Sequence, residues 1–342
     1  AAAVAANFGA IGLGSDTGNS IRGPSSHQAL AGIRSTMGLT SRAGVVPLNL
    51  LADIAGPMAR TLEDAVAVFQ VIAGEDPADP ATLRSEDAPA GLRPAGRPAA
   101  IPDYRASLVK DGLKRARIGV LRQAYEREST SPEIVAVFTS ALDDLRKAGA
   151  TIVDPATVEG LNEIRRPQGA APCAGFKHDI NKYLASLGER VPVKNLEAVI
   201  RSRRFHPSVE LRLTRAQEGA ENGLNSDACK TEAEYRERFR TAVLKTMEAH
   251  TLDAFVYPTW SNPPRLIGDL NTPHGDNSQI FSPVTGFPAI NVPMGYTVGG
   301  KLPAGITFFG RAWDEATLIR LAYSFEQATR HRRPPPTTPA LK

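Results

Sequence analysis

The chain has 342 residues, 42% of them hydrophobic and 22% charged, the balance of a soluble globular protein long enough to bury a sizeable core. Its 40 basic and 36 acidic residues are spread along the sequence and leave a net charge of only +4, so no basic face is marked out for nucleic acid; Arg201, Arg203 and Arg204 read as a solvated helix face. Two cysteines, Cys173 and Cys229, give neither a disulfide framework nor a metal-ligand spacing, which fits a reducing compartment such as the cytoplasm.

The opening AAAVAANFGAIGLG is apolar from its first residue, carries no basic leader and is too short to span a bilayer. It reads as the interior of a domain, with the expectation that the natural protein starts upstream. AAAVAA holds strong helix formers, and Gly9, Gly12 and Gly14 are expected to break that helix ahead of a loop around Ser20. Residues 40–74 alternate a strand-like apolar run with a helix capped by Thr61, whose stripe Ala65, Val66, Val68, Phe69 and Ile72 ends before Gly74. Residues 75–108 carry six prolines and little apolar periodicity, and are expected to be a surface excursion.

After it, Arg117 to Arg122 predicts a strand, 132–148 a helix capped by Ser131, and 150–153 a second strand. Residues 160–250 are mostly helical in pattern. LDAFVYPTW, PAINVPMGY and AGITFFGR restore short strands, and 315–330 closes with an amphipathic helix. The sum is an α/β protein, a mixed β-sheet core covered by helices on both faces, in a single domain over 1–342.

Chemistry in such a fold collects on loops, and GSDTGNSIRGP at 14–24 is the most loaded one. A phosphate cradle does not fit, because Gly12, Gly14 and Gly18 miss the dinucleotide spacing and no Gly-Lys-Ser/Thr follows. A nucleophile elbow needs Gly-x-Ser-x-Gly, and here Gly18-Asn19-Ser20-Ile21-Arg22 supplies only its first half. Composition alone leaves an ordinary turn open, since Gly, Asn, Asp and Ser favour turns for conformational reasons.

The wider sequence adds to this. GSDTGNSIRGPSS, AGIRSTMGLTSRAGVVP and DIAGPMARTLEDA, followed in order by GLKRARIGVLR, FKHDINKYL, FVYPTW, FSPVTGFPAINVP and LPAGITFFGRAWDEATLIRLAYSFEQATRHRRPP, resemble the amidase signature family over nearly the whole chain. The resemblance implies that Ser20 is the acyl-accepting nucleophile, that the backbone N–H groups of Thr17, Gly18, Asn19 and Ser20 form the oxyanion hole, and that Asp16 and Arg22 support the loop. A surface ion pair is the bland alternative for those two.

In the family a second serine, held by a cis peptide bond, relays the proton to a lysine. Both lie upstream of the segment that matches Ala1 to Ala6, and neither has a matching position here; with these 342 residues alone Ser20 has no relay and is expected to be catalytically inert or nearly so. Lys110 beside Asp111 lacks the apolar strand that carries the family's lysine, and His27 reads as structural, since the family needs no histidine. Asn19 stands where the pattern usually has glycine, and its side chain is expected near the oxyanion pocket.

Cys173, Phe176, Tyr257, Trp260 and the stretch Ser278 to Phe281, Ile280 within it, occupy regions that line the acyl or leaving-group side in similar enzymes, with core packing the alternative for each. A nucleophilic role for Cys173 is disfavoured, and Asp276 is a candidate to meet a substrate amine, with a solvated loop carboxylate the ordinary alternative. The resemblance implies a hydrolase for a small or peptide-like carboxamide, with no metal or organic cofactor, no nucleic-acid or membrane partner, and room for a homodimer. Two rivals are the amidase component of a glutamine-dependent tRNA amidotransferase and an inactive binding module.

Overall fold

The computed structural model describes residues 1–342 apart from 85–92, 162, 165–172, 174, 220, 222–225, 270, 274 and 339–342. Its centre is one eight-stranded mixed sheet made of β1 (Ile11–Asp16), β2 (Ala31–Arg34), β3 (Ile54–Ala59), β4 (Arg117–Val120), β5 (Thr151–Val153), β6 (Ala254–Pro258), β7 (Ala289–Thr297) and β8 (Leu302–Phe309). They run in the order β1-β3-β2-β7-β8-β6-β4-β5. The β4–β5 and β4–β6 pairs are parallel and the others antiparallel, β1 and β3 matching from Ile11↔Ala59 to Asp16↔Ile54.

Strand alternation shows that both faces are covered, because successive side chains of a strand point to opposite sides. On β8, the Cβ position of Gly305 faces Ser26 in the short helix α2 (Arg22–His27), after the opening helix α1 (Ala2–Ala5). Phe308, three residues on, turns the other way onto Phe325. Side chains at Gly32 and Gly305 would collide with Ser25 and Ser26, so glycine at these two positions lets α2 lie close on the sheet. That close seat fixes the end of α2 from which Ser20 is presented.

The opposite face carries α3 (Leu62–Ile72) and α4 (Pro132–Lys147). Leu62, Ala65, Val66 and Phe69 of α3 and Ile134, Phe138, Ala141 and Leu145 of α4 enter the main core with Val120, Phe255, Ile290 and Phe308 of the strands. Thr61 caps α3 as expected, its hydroxyl accepting the Asp64 N–H. Ser131 makes no side-chain cap; Pro132, which needs no N–H partner, starts α4 instead.

A second helical group comprises α5 (Phe176–Ser186), α6 (Leu196–Ser202) and α7 (Glu210–Glu218), packed around Ile180, Leu184 and Leu196. The chain then continues through α8 (Asp227–Ala249), α9 (Phe281–Thr285) and α10 (Glu315–Thr329). No helix among the described residues is long and apolar enough to cross a membrane.

Three sequence expectations need correction. The opening helix ends at Ala5 as expected, but Gly12 and Gly14 then lie within β1 instead of a loop, where their small size admits Val4, Ile21 and Met58. The described parts of 75–108 are not purely superficial: Ala81 and Tyr104 are buried, and Asp79 is paired with Arg42 at 2.7 Å. Cys173 and Cys229 are joined in a disulfide across 56 positions, so the reducing-compartment reading, which rested on unpaired cysteines, loses its ground.

Candidate active site

The Ser20 loop leaves the sheet at Asp16 and re-enters regular structure at Arg22. Asp16 holds both ends: its Oδ2 accepts the backbone N–H groups of Ile21 and Arg22 at 3.3 and 3.4 Å and the Arg22 Nε at 3.1 Å. Its Oδ1 accepts Arg34 Nη1 at 3.1 Å. Arg22 then reaches back to the Gly18 carbonyl (2.7 Å) and across to the Ser278 carbonyl (3.2 Å). Arg34 donates to the Asp16 carbonyl, the Ala52 carbonyl (2.8 Å) and Ser282 Oγ (2.9 Å).

All three charged side chains are fully buried, which rules out a surface ion pair. Burial opposes the charge on Asp16, but the Arg22 and Arg34 guanidiniums and the hydrogen bonds from Arg22 outweigh it and hold the carboxyl below its usual range. Burial also brings Arg34 down to about 10 despite Asp16, leaving it charged at neutral pH.

Within this frame Ser20 is exposed. Thr17 is tied down by its hydroxyl, which donates to Asp53 Oδ1 at 2.5 Å, while Asp53 Oδ2 accepts the N–H groups of Leu48 and Asn49. The Asn19 carbonyl accepts Gly23 N–H at 2.7 Å. Among the described residues, the backbone N–H groups of Thr17, Gly18, Asn19 and Ser20 have no protein acceptor. Four consecutive donors therefore stand beside an exposed serine. The Asn19 side chain does not project freely into that space: the residue is 7% exposed and its amide lies against Gly23, in room that a side chain there would fill.

The segment 276–280 faces the loop. Asp276 is half-buried, accepting Ser278 N–H at 2.9 Å and Gln279 Nε2 at 2.8 Å, so it is a built part of this segment and not a solvated carboxylate. Trp260 forms a backbone bridge with Asp276 and stacks on His27 at 4.7 Å. Burial drives the His27 imidazole down to about 4, partly opposed by a hydrogen bond to the Asn262 backbone; the ring is neutral at physiological pH and has the structural surroundings expected of it.

Tyr257 is fully buried on Phe281, and Ile280 packs partly buried against the main core. Burial pushes the Tyr257 phenol up, with the nearby Arg22 charge opposing. Phe176 packs into the α5–α7 cluster. Cys173 is consumed by its disulfide, which removes it as a nucleophile.

The structure thus gathers Asp16–Arg22, Trp260 and Ile280 around or behind the loop, sends Phe176 into the α5–α7 group and ties Cys173 to Cys229 at the start of α8. Arg34 and Asp53 join the site unannounced, whereas Gln279 lies in the Ser278–Phe281 stretch that the resemblance places near the substrate. An arginine inside the apolar run ALAGIR is a buried-charge signal for Arg34. A groove of about 950 Å³ between α8 and residues 157–164, lined by Glu237, Arg238, Lys245 and His250 among others, includes no residue of the Ser20 loop.

Compared with known proteins, residues 1–319 match the Amidase family. A probable amidase of Arabidopsis thaliana is 34% identical over 98% of this chain and 60% of its own length. A glutamyl-tRNA(Gln) amidotransferase subunit from Synechococcus is 32% identical over 100% of this chain and 65% of its own. The crystal structure of the native peptide amidase from Stenotrophomonas maltophilia superposes with a TM-score of 0.76 at 33% identity, covering 97% of this chain and 65% of that one. The chain therefore spans somewhat under two thirds of the length of these relatives.

Proposed function

The chain belongs to the amidase signature family, and we propose that it cleaves the carbon–nitrogen bond of a small or peptide-like carboxamide through an acyl-enzyme on Ser20. The observation that carries this reading is the exposed Ser20 beside four backbone N–H groups that have no acceptor among the described residues. In the reaction, Ser20 Oγ attacks the amide carbon, and the N–H groups of Thr17, Gly18, Asn19 and Ser20 receive the charge that develops on the carbonyl oxygen. The C–N bond breaks, the proton given up by the Ser20 hydroxyl ends on the departing nitrogen so that ammonia or an amine leaves, and water releases the acid from the Ser20 ester and restores the hydroxyl.

Asp16, Arg22 and Arg34 act as supports. They touch no substrate; they hold the donors where the oxyanion forms, so that little reorganisation accompanies the attack. Trp260 and Ile280 belong to the pocket on the same side, with Tyr257 behind them, Phe176 on the α5–α7 group and Cys173 bonded to Cys229 of α8. The substrate is the partner this reading requires, and no cofactor takes part in it.

Treatment of the full chain with a fluorophosphonate probe tests the nucleophile. One label per chain, mapped to Ser20 by peptide mass spectrometry and absent from Ser20→Ala, is the expected result, together with ammonia release from a peptide amide. An unlabelled Ser20 in folded protein that also carries the family's relay serine and lysine would sink the reading. The 32% identity to the amidotransferase component supports a second one, in which the same chemistry delivers ammonia to a partner. That reading expects a co-purifying protein and loses to the first if the isolated chain turns over peptide amides by itself.

A further inference from the structure

Resting on the amidase reading of Ser20, we propose that the side-chain carbonyl of Gln279 reads the N–H of the scissile carboxamide, so that the site selects amides bearing an N–H over esters and N,N-disubstituted amides. Gln279 is exposed, yet its side chain is folded back over the loop: its Cδ and Oε1 lie 3.1 Å from where a Cβ on Gly18 would stand, two residues ahead of Ser20.

What holds it there also orients it. Gln279 Nε2 donates to Asp276 Oδ2 at 2.8 Å, and Asp276 Oδ1 accepts Ser278 N–H at 2.9 Å. An ionised carboxylate only accepts hydrogen bonds, so Asp276 selects the NH₂ edge of the glutamine amide and leaves Oε1 turned to Gly18. Oε1 has no donor of its own among the described residues. The segment is pinned in turn by Arg22, which donates to the Ser278 carbonyl at 3.2 Å from within the buried network.

The loop therefore presents four donors without acceptors and, over Gly18, one acceptor without a donor. A carboxamide is the complement of that pattern, since its carbonyl oxygen takes the donors and its N–H takes the acceptor. An ester offers an oxygen lone pair where the N–H would be and meets Oε1 with repulsion. Gln279 moves no proton in this scheme; it is a specificity-determining residue.

The test separates binding from turnover. In the Ser20→Ala chain, which cannot form the acyl-enzyme, dissociation constants are measured by ligand-observed NMR for N-acetylphenylalaninamide, its N,N-dimethyl amide and the methyl ester. The primary amide is expected to bind about five- to tenfold more tightly than the other two. Gln279→Met, which keeps the length but not the acceptor, is expected to erase that preference by weakening the primary amide alone.

Equal weakening of all three ligands, which a packing role would give, overturns the inference. So does an unchanged preference, or failure of the parent to bind the primary amide. Absence of Ser20 labelling in unmutated protein that also carries the relay serine and lysine would sink the hydrolase reading separately, because the binding ratio is read without turnover.

Discussion

Two carboxylates, Asp16 fully buried and Glu326 half-buried, do the same local task near opposite ends of β3 and settle in opposite charge states. On the Ser20 side, Asp16 accepts the N–H groups of Ile21 and Arg22 where α2 begins. On the far side, Glu326 of α10 accepts Leu62 N–H at 2.8 Å where α3 begins. Asp16 has two buried arginines against it and is held below the usual range. Glu326 has none in contact, and burial, with Asp64 and Glu63 adding to it, raises it to about 7. Helix-start geometry alone does not decide ionisation; the buried counter-charge does. The consequence is a reactive loop whose frame does not titrate near neutrality, and a joint between α3 and α10 that does.

Asp16→Asn breaks the comparison most severely. It leaves Arg22 and Arg34 buried side by side without their contacting carboxylate, and loss of one partner from a buried ionic group costs about 3–5 kcal/mol. Urea denaturation should show a loss of that size at pH 7, and Ser20 should lose its fluorophosphonate labelling because the loop's two ends are released together. Wild-type stability in this variant would mean that Asp16 does not hold the loop.

Glu326→Gln sharpens the contrast from the other end, with the opposite sign. Below pH 4.5 folded and unfolded chains both keep the Glu326 proton, and the site costs nothing. Between pH 4.5 and 7 the unfolded chain releases it first, so the wild type loses stability as pH rises, on the order of 3 kcal/mol by pH 8. Glutamine keeps an acceptor for Leu62 N–H without the charge. The variant should match the wild type at pH 4.5 and melt higher at pH 8; parallel melting curves across that range would show that Glu326 is not the titrating group.

The two carboxylates also mark how far sequence reading reaches. Asp16 and Arg22 were legible because they flank a dense motif, and α3, α4 and α10 because their apolar residues recur at helical spacing. Glu326 and Arg34 were not: each gains its meaning from a backbone group far away in sequence, Leu62 N–H for one and the Asp16 and Ala52 carbonyls for the other. β1 was hidden for a related reason. Its glycines carry the signature of a breaker, and only the tertiary neighbours Val4, Ile21 and Met58 explain why small residues are needed in that strand. The Cys173–Cys229 bond, spanning 56 positions, is likewise a matter of topology and not of spacing.

His27 offers the subtlest test, because it is a third titratable group and lies on the Ser20 side. Its ring stacks on Trp260 and is held at about 4 by burial, so between pH 6.5 and 4 the unfolded chain takes up a proton that the folded chain refuses. Stability therefore falls as pH falls, by about 2 kcal/mol between pH 7 and pH 5, and is unaffected above 6.5. His27→Phe keeps an aromatic ring on Trp260 and removes the titration, so its stability should be level from pH 7 to pH 5 where the wild type declines. Ser20 labelling at pH 7 should survive the substitution, since a neutral ring buried on Trp260 positions no proton for the serine. Loss of labelling with folding intact would instead make His27 part of the reaction and would break the separation between a fixed reactive frame and a titrating far side.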